Sequence, residues 1–131
     1  MLAIDTNILV RYLTGDHPVQ SARARSVIER DDVFVSTTVM LESEWVLRSV
    51  YNFTVPRVCQ ALRAFAGLPG VSLEYPYLAA TALDCAENGM DFADALHVIR
   101  ADHCDGFVTF DQQLIKAAQT MGFKAVRSLR A

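Results

Sequence analysis

The chain is poor in cysteine: three residues, Cys59, Cys85 and Cys104, isolated and without CxxC spacing among 131. That scarcity argues against a disulfide framework and against a zinc site built on cysteine pairs, and leaves free buried thiols in a reducing cytoplasm as the expectation. Long hydrophobic runs are missing as well. Hydrophobic residues make up 52%, yet no stretch approaches the roughly 18 residues of a membrane span, so a soluble protein is expected. The amino terminus enters Leu2-Ala3-Ile4-Asp5 with neither a basic region nor a long apolar segment, which speaks against a secretory signal. Positive charge is scarce too, with 12 Lys and Arg against 15 Asp and Glu and a net charge of −3. A protein that grips nucleic acid through bulk positive charge is thereby disfavoured. A nuclease is not. All but two of the basic residues, Lys116 and Lys124, are arginine, the side chain suited to bidentate phosphate contacts.

What is present is the size of one domain, 1–131, with a single core. No internal repeat, low-complexity tract or linker divides it. Strand-like apolar runs alternate with helix-period segments, which predicts an α/β fold with a parallel-type sheet flanked by helices on both faces. The expected strands are 1–5, 33–35, 71–73 and 107–109, with a short edge strand near Ala125-Val126. The expected helices are 7–13, 19–30 with Ala22, Val27 and Ile28 inward, one from the Ser36-Thr37-Thr38 cap to about Tyr51, 55–66, 77–87, 91–102 and 112–121. Gly15, Pro18, Gly67, Pro69, Asn88-Gly89 and Gly122 punctuate them.

Four carboxylates stand where strands give way to helices: Asp5, Glu42, Asp94 and Asp111, at intervals of 37, 52 and 17 residues. In open α/β sheets, functional groups collect beyond the carboxyl ends of the strands. Asp5 and Asp111 are placed there by the pattern, and Glu42 and Asp94 in first turns of helices that begin on the same side. Carboxylates gathered together repel and resist ionising, so they call for a cation between them. Each has a plainer reading. Asp5, Asp91 and Asp111 all suit a helix N-cap. Glu42 has Val39, Trp45 and Val46 as helical neighbours and interrupts an apolar stripe, a costly place for an unpaired charge. Glu44, its rival on that helix, has Arg48 four residues on for a surface ion pair.

The segments Asp5-Thr6-Asn7, Leu41-Glu42-x-x-Trp45-Val46-Leu47, Asp91-Phe92-Ala93-Asp94-Ala95-Leu96-His97 and Thr109-Phe110-Asp111, in this order, resemble a PIN domain. Within that family the chain is most similar to the VapC-type toxins of bacterial type II toxin–antitoxin pairs. The resemblance covers essentially the whole chain. It implies a Mg²⁺- or Mn²⁺-dependent endoribonuclease in which Asp5, Glu42, Asp94 and Asp111 hold the metal, with Asp91 either a further ligand or a cap. It also implies a cytoplasmic homodimer held inactive by a cognate antitoxin. The chemistry agrees, because phosphodiester hydrolysis needs a charge clamp on the phosphate and a water made nucleophilic at neutral pH.

Other candidates are set aside. His97 is read as a helix histidine partly packed against its neighbours, while His17 and His103 have no partner at ligand spacing. The run Asp102-His103-Cys104-Asp105 reads as a polar loop, and Tyr75-Pro76-Tyr77 as a packed turn rather than a base-stacking pair. A response-regulator receiver would need paired acids after its first strand, and a haloacid-dehalogenase phosphatase an acid at position 7, which is Asn. A housekeeping RNA-processing nuclease without antitoxin, or a non-catalytic RNA- or protein-binding domain, are the alternatives.

Overall fold

A computed structural model describes residues 1–129 and divides into two compact units, the first Met1–Pro76 and the second from Tyr77 onward. In the first unit the elements run β1 (Leu2–Ala3), α1 (Thr6–Thr14), α2 (Pro18–Arg30), β2 (Val33–Val35), α3 (Thr37–Ser49), α4 (Val55–Ala66) and β3 (Val71–Leu73). The strands form one parallel sheet in the order β1-β2-β3, with Leu2 opposite Val33 and Val33 opposite Val71. Parallel neighbours cannot be joined by a tight hairpin. Two helices accordingly lie between each pair in the sequence. Leu9, Val33, Val35, Met40, Leu47, Val58, Leu62 and Phe65 are buried in this unit, and Tyr12 meets Phe65 edge to face at 5.9 Å.

The helix boundaries follow local chemistry. Ser36 caps α3 by accepting from Val39 N, and Thr54 caps α4 by accepting from Arg57 N, with Pro56 in the first turn where its missing N–H is harmless. At the end of α1, Gly15 takes φ 64°, a left-handed conformation that an L side chain would strain, and its N–H satisfies the carbonyl of Arg11.

The second unit holds α5 (Pro76–Glu87), α6 (Phe92–Arg100), β4 (Phe107–Thr109), α7 (Gln112–Thr120) and β5 (Val126–Ser128), the two strands pairing in parallel with Phe107 opposite Val126. Its core includes Leu83, Cys85, Phe92, Ala95, Leu96, Leu114, Ala118 and Val126. The fold is thus mixed α/β, with seven helices and only parallel strand pairs among the described residues. No described helix is long and apolar enough to cross a membrane.

Among the described residues the parallel strands are hydrogen-bonded in groups of three and two. Several expectations need correction. On α2 the buried face is Ser21, Ala24 and Ile28, whereas Ala22 is exposed and Val27 only partly covered, so the helix is rotated relative to the expected stripe. Cys104 is exposed, Cys59 and Cys85 are buried, and the three sulfurs are thiols rather than disulfides. Burial, with the charge of Asp84 second, pushes the Cys85 thiol up. Tyr75 and Tyr77 are exposed, because Pro76 starts α5 instead of closing a packed turn.

Candidate functional site

In the first unit, β1 delivers Asp5 to the start of α1. The Asp5 backbone is extended, and its Oδ1 accepts from Ile8 N at 3.0 Å, which makes it the helix N-cap. Capping occupies one oxygen. The side chain is exposed, and Oδ2 has no hydrogen-bond partner among the described residues. Asp5, Thr6, Asn7 and Glu42 line one cleft of about 390 Å³, together with Arg11, Tyr51 and apolar side chains of α1 and α3. Thr6 Oγ1 is buried without a hydrogen-bond partner among the described residues.

Glu42 reaches that cleft from the second turn of α3, one turn later than the sequence suggests, and it is exposed rather than set into a buried stripe. The inward face of α3 is Met40, Ser43, Glu44 and Leu47, while Trp45 is 55% exposed. Glu44 therefore does not form a surface pair. Its side chain is buried against Arg48, whose Nε and Nη2 both donate to the carboxylate, the latter at 3.0 Å. An i,i+4 bidentate partner on the same helix is what lets a carboxylate enter the core. Glu42 thus remains the acid of α3 that faces the cleft, for a reason opposite to the expected one.

In the second unit, Asp91 is the N-cap of α6, its Oδ2 accepting from Asp94 N at 3.1 Å. Asp94 lies in the first turn of that helix, half-buried, with no hydrogen bond to its carboxylate among the described residues. Burial, then the negative charges of Asp91 and Asp111, raise its pKa above the ordinary aspartate value, with His97 acting in the opposite direction. Asp111 is brought close by β4 and caps α7, Oδ1 accepting from Gln113 N at 3.0 Å and Leu114 N at 3.1 Å. Thr109 Oγ1 in turn accepts from Asp111 N at 3.0 Å. His97 is exposed, which corrects its expected packing. The second unit therefore sets two acids, Asp91 and Asp111, beside a carboxylate that has no hydrogen-bond donor among the described residues.

The sequence model of the PIN domain matches residues 2–120. The chain belongs to the PIN domain family. Its match runs through both units and takes in all five acids. No curated protein matches the chain significantly. PIN domains are generally metal-dependent nucleases, so this one carries a nuclease fold. The side chains fit a divalent cation by their chemistry: carboxylate and hydroxyl oxygens, the donors that hard ions prefer, with the Asp94 carboxylate opposed by Asp91 and Asp111 and offset in part by His97. Among the described residues no three His, Cys, Asp or Glu side chains form a ready-made metal cage.

Two features of this PIN domain escaped sequence reasoning. His17 is the N-cap of α2, Nδ1 accepting from Gln20 N at 3.1 Å. Histidine is outside the usual capping set, and only the following Pro18 hinted at it. The other is a polar network about Arg11, whose guanidinium donates to Gln20 Oε1 at 2.9 Å, to both Asp16 oxygens at 3.1 Å and to Tyr51 Oη at 2.9 Å. Arg11 to Asp16 is a spacing of five, and Arg11 to Tyr51 spans 40 residues, so neither is a pattern that a helical wheel displays.

Proposed function

We propose that this PIN domain is a divalent-metal-dependent endoribonuclease, the toxin of a type II toxin–antitoxin pair, acting in the cytoplasm as a homodimer under the control of a cognate antitoxin. The observation that carries the nuclease reading is Asp94: a half-buried carboxylate beside Asp91 and Asp111, raised in pKa and without a donor, in a family of metal-dependent nucleases. Such a group is stabilised by a cation and by little else. In this reading Asp5 and Glu42 from the first unit and Asp94 and Asp111 from the second bind Mg²⁺ or Mn²⁺. When bound, the ion supplies charge compensation at the scissile phosphate and makes a water acidic enough to attack at neutral pH.

The chain's own residues have distinct tasks. Oδ1 of Asp5 and of Asp111 is engaged with helix N–H groups, which fixes each carboxylate and leaves Oδ2 for a ligand. Asp91 holds the first turn of α6 and adds negative charge beside Asp94. Thr6 and Asn7 stand next to Asp5 in the cleft and suit hydrogen bonding to a phosphate or to Asp5 itself. The two sequence features that favour the toxin class are the Asp91-Phe92-Ala93-Asp94-Ala95-Leu96 and Glu42-x-x-Trp45-Val46-Leu47 segments, which resemble VapC-type chains.

The test is RNA-end sequencing after expression of the chain alone, followed by cleavage of the identified RNA in vitro with Mn²⁺ or EDTA. Discrete new 5′-phosphate ends that require Mn²⁺ are expected. A chain that is harmless on expression and leaves RNA intact with Mn²⁺ contradicts both the nuclease and the toxin reading. Cleavage without toxicity removes the toxin alone.

A further inference from the structure

Among the described residues, Arg11 is the one basic side chain lining the cleft with Asp5 and Glu42. Its position is fixed by three elements. Asp16 receives it from the α1–α2 turn, Gln20 from α2, and Tyr51 from beyond the end of α3. The acceptors are themselves held in place: Tyr51 Oη donates to Asp16 Oδ2 at 2.7 Å, and Thr14 Oγ1 donates to Asp16 Oδ1 at 2.9 Å. These two bonds, with the Arg11 charge behind them, keep Asp16 below the usual carboxylate range, and the same Asp16 raises the Tyr51 phenol. Asp16 is therefore ionised at neutral pH and the clamp is closed.

A guanidinium has five N–H donors. Nε is committed to Gln20 and Nη1 to Asp16 and Tyr51, which accounts for three. Nη2 and its two donors have no partner among the described residues. A plain structural tie does not need to stand at the edge of an acid-lined cleft with an amino group left over. Arg11 also borders a neighbouring groove lined by Ile8, Ala24 and Val27 together with Asn7, Gln20 and Arg23, but the exposed surface of that groove is largely apolar and it contains no acid.

From this geometry we infer that Arg11 binds a phosphate of the RNA substrate in the Asp5–Glu42 cleft, through the Nη2 donors that its clamp leaves available. The assignment rests on the nuclease reading above. Pre-fixing a long side chain removes the rotamer entropy that a free arginine loses on binding, so the phosphate contact is gained at lower cost. It also explains how an acidic chain holds a polyanion, with a placed cation in place of bulk charge.

The test is equilibrium binding of a labelled single-stranded RNA, with Ca²⁺ replacing Mn²⁺, across a series of salt concentrations, alongside steady-state cleavage with Mn²⁺. Arg11→Gln should lower the magnitude of the slope of log K against log salt by about 0.7, the value for one lost phosphate on a single strand. It should also raise KM about tenfold to a hundredfold, the effect of one charged hydrogen-bonded contact. Arg11→Lys should keep the salt slope but lose most of the KM advantage, because the ammonium has no fork to share between the clamp and the phosphate. Wild type that fails to cut RNA in Mn²⁺ brings down the nuclease reading. Wild type that cuts, with an unchanged salt slope and KM in Arg11→Gln, overturns the Arg11 assignment alone. If Arg11→Gln does not fold, Arg11→Lys decides: a KM equal to wild type overturns the assignment, and a raised KM at constant slope supports it.

Discussion

In the first unit the candidate acids share their cleft with a guanidinium, whereas in the second the acids face mainly one another. Asp5 and Glu42 are exposed, and Arg11 supplies positive charge to the same cleft. Asp94 is half-buried, and the acids named as neighbours, Asp91 and Asp111, raise its pKa further. The contrast teaches that carboxylates alike in sequence have different electrostatic duties. In the proposed reading, the first pair meets a substrate phosphate with the Arg11 cation beside it. Within the second group the opposing influence on Asp94 is that of His97.

The largest expected effect breaks the comparison on the second side. Asp94→Asn should lower RNA cleavage by about a hundredfold to a thousandfold, the range for losing a group that stabilises charge in the transition state. The same variant should melt above wild type in EDTA at pH 7 and gain less from Mn²⁺, since a ligand that binds only the folded form raises stability by mass action. The sign follows from the raised pKa. A folded aspartate that holds its proton more tightly than the unfolded one makes stability fall as pH rises through its folded pKa. The penalty is full above that pKa and absent below the ordinary 3.8. The melting advantage of Asp94→Asn should therefore shrink as pH drops toward 4 and vanish beneath it. An advantage that persists unchanged at low pH rules out charge repulsion as its origin.

Next in size is a change that leaves the contrast intact and tests the helix between. Arg48→Met should cost about 2 kcal/mol in urea unfolding, the value of a charge-assisted hydrogen bond to a buried acceptor. Cleavage per folded molecule should not change, because Glu44 faces the core. Loss of turnover in Arg48→Met or Glu44→Gln at retained stability would transfer the role from Glu42 to Glu44.

The smallest effect on stability sharpens the first side. Asp5→Asn keeps the cap and should unfold within about 0.5 kcal/mol of wild type, whereas Asp5→Ala should lose about 1 kcal/mol. Both should be inactive. Equal activity in Asp5→Asn and wild type would make Asp5 a cap and nothing more.

Much of the fold was legible because it is written in strong local signals. Ser36, Thr54 with Pro56, Gly15 and Asn88-Gly89 set boundaries by backbone chemistry that tertiary packing did not override. Facing was less legible. The α2 stripe was misread because Ala22 and Ala24 are equally small and equally apolar, and only Ala24 is buried. On α3, Val39, Leu41, Trp45 and Val46 made one side look buried, while the core accepted Ser43 and Glu44. A buried ion pair within one helix is invisible to a hydrophobic pattern that counts every charge as solvent-facing. For the candidate site, the capping and the liganding readings of Asp5, Asp91 and Asp111 were posed as alternatives. The structure shows each acid capping with one oxygen, Oδ1 for Asp5 and Asp111 and Oδ2 for Asp91. Sequence cannot display that division, since it lies within a single side chain.

The coincidence of cap and candidate ligand at Asp5, Asp91 and Asp111 has a genetic consequence. Asparagine caps a helix as well as aspartate does, and a single base change converts one codon into the other. At these three positions one of the single-base paths away from the acid therefore leads to a chain that still folds and still presents its surfaces to partners. If the chain is toxic on expression, colonies that survive should carry full-length protein with Asp→Asn at Asp5 or Asp111 more often than the breakage of the fold by core substitutions would suggest. Such survivors would continue to occupy whatever normally binds the active chain.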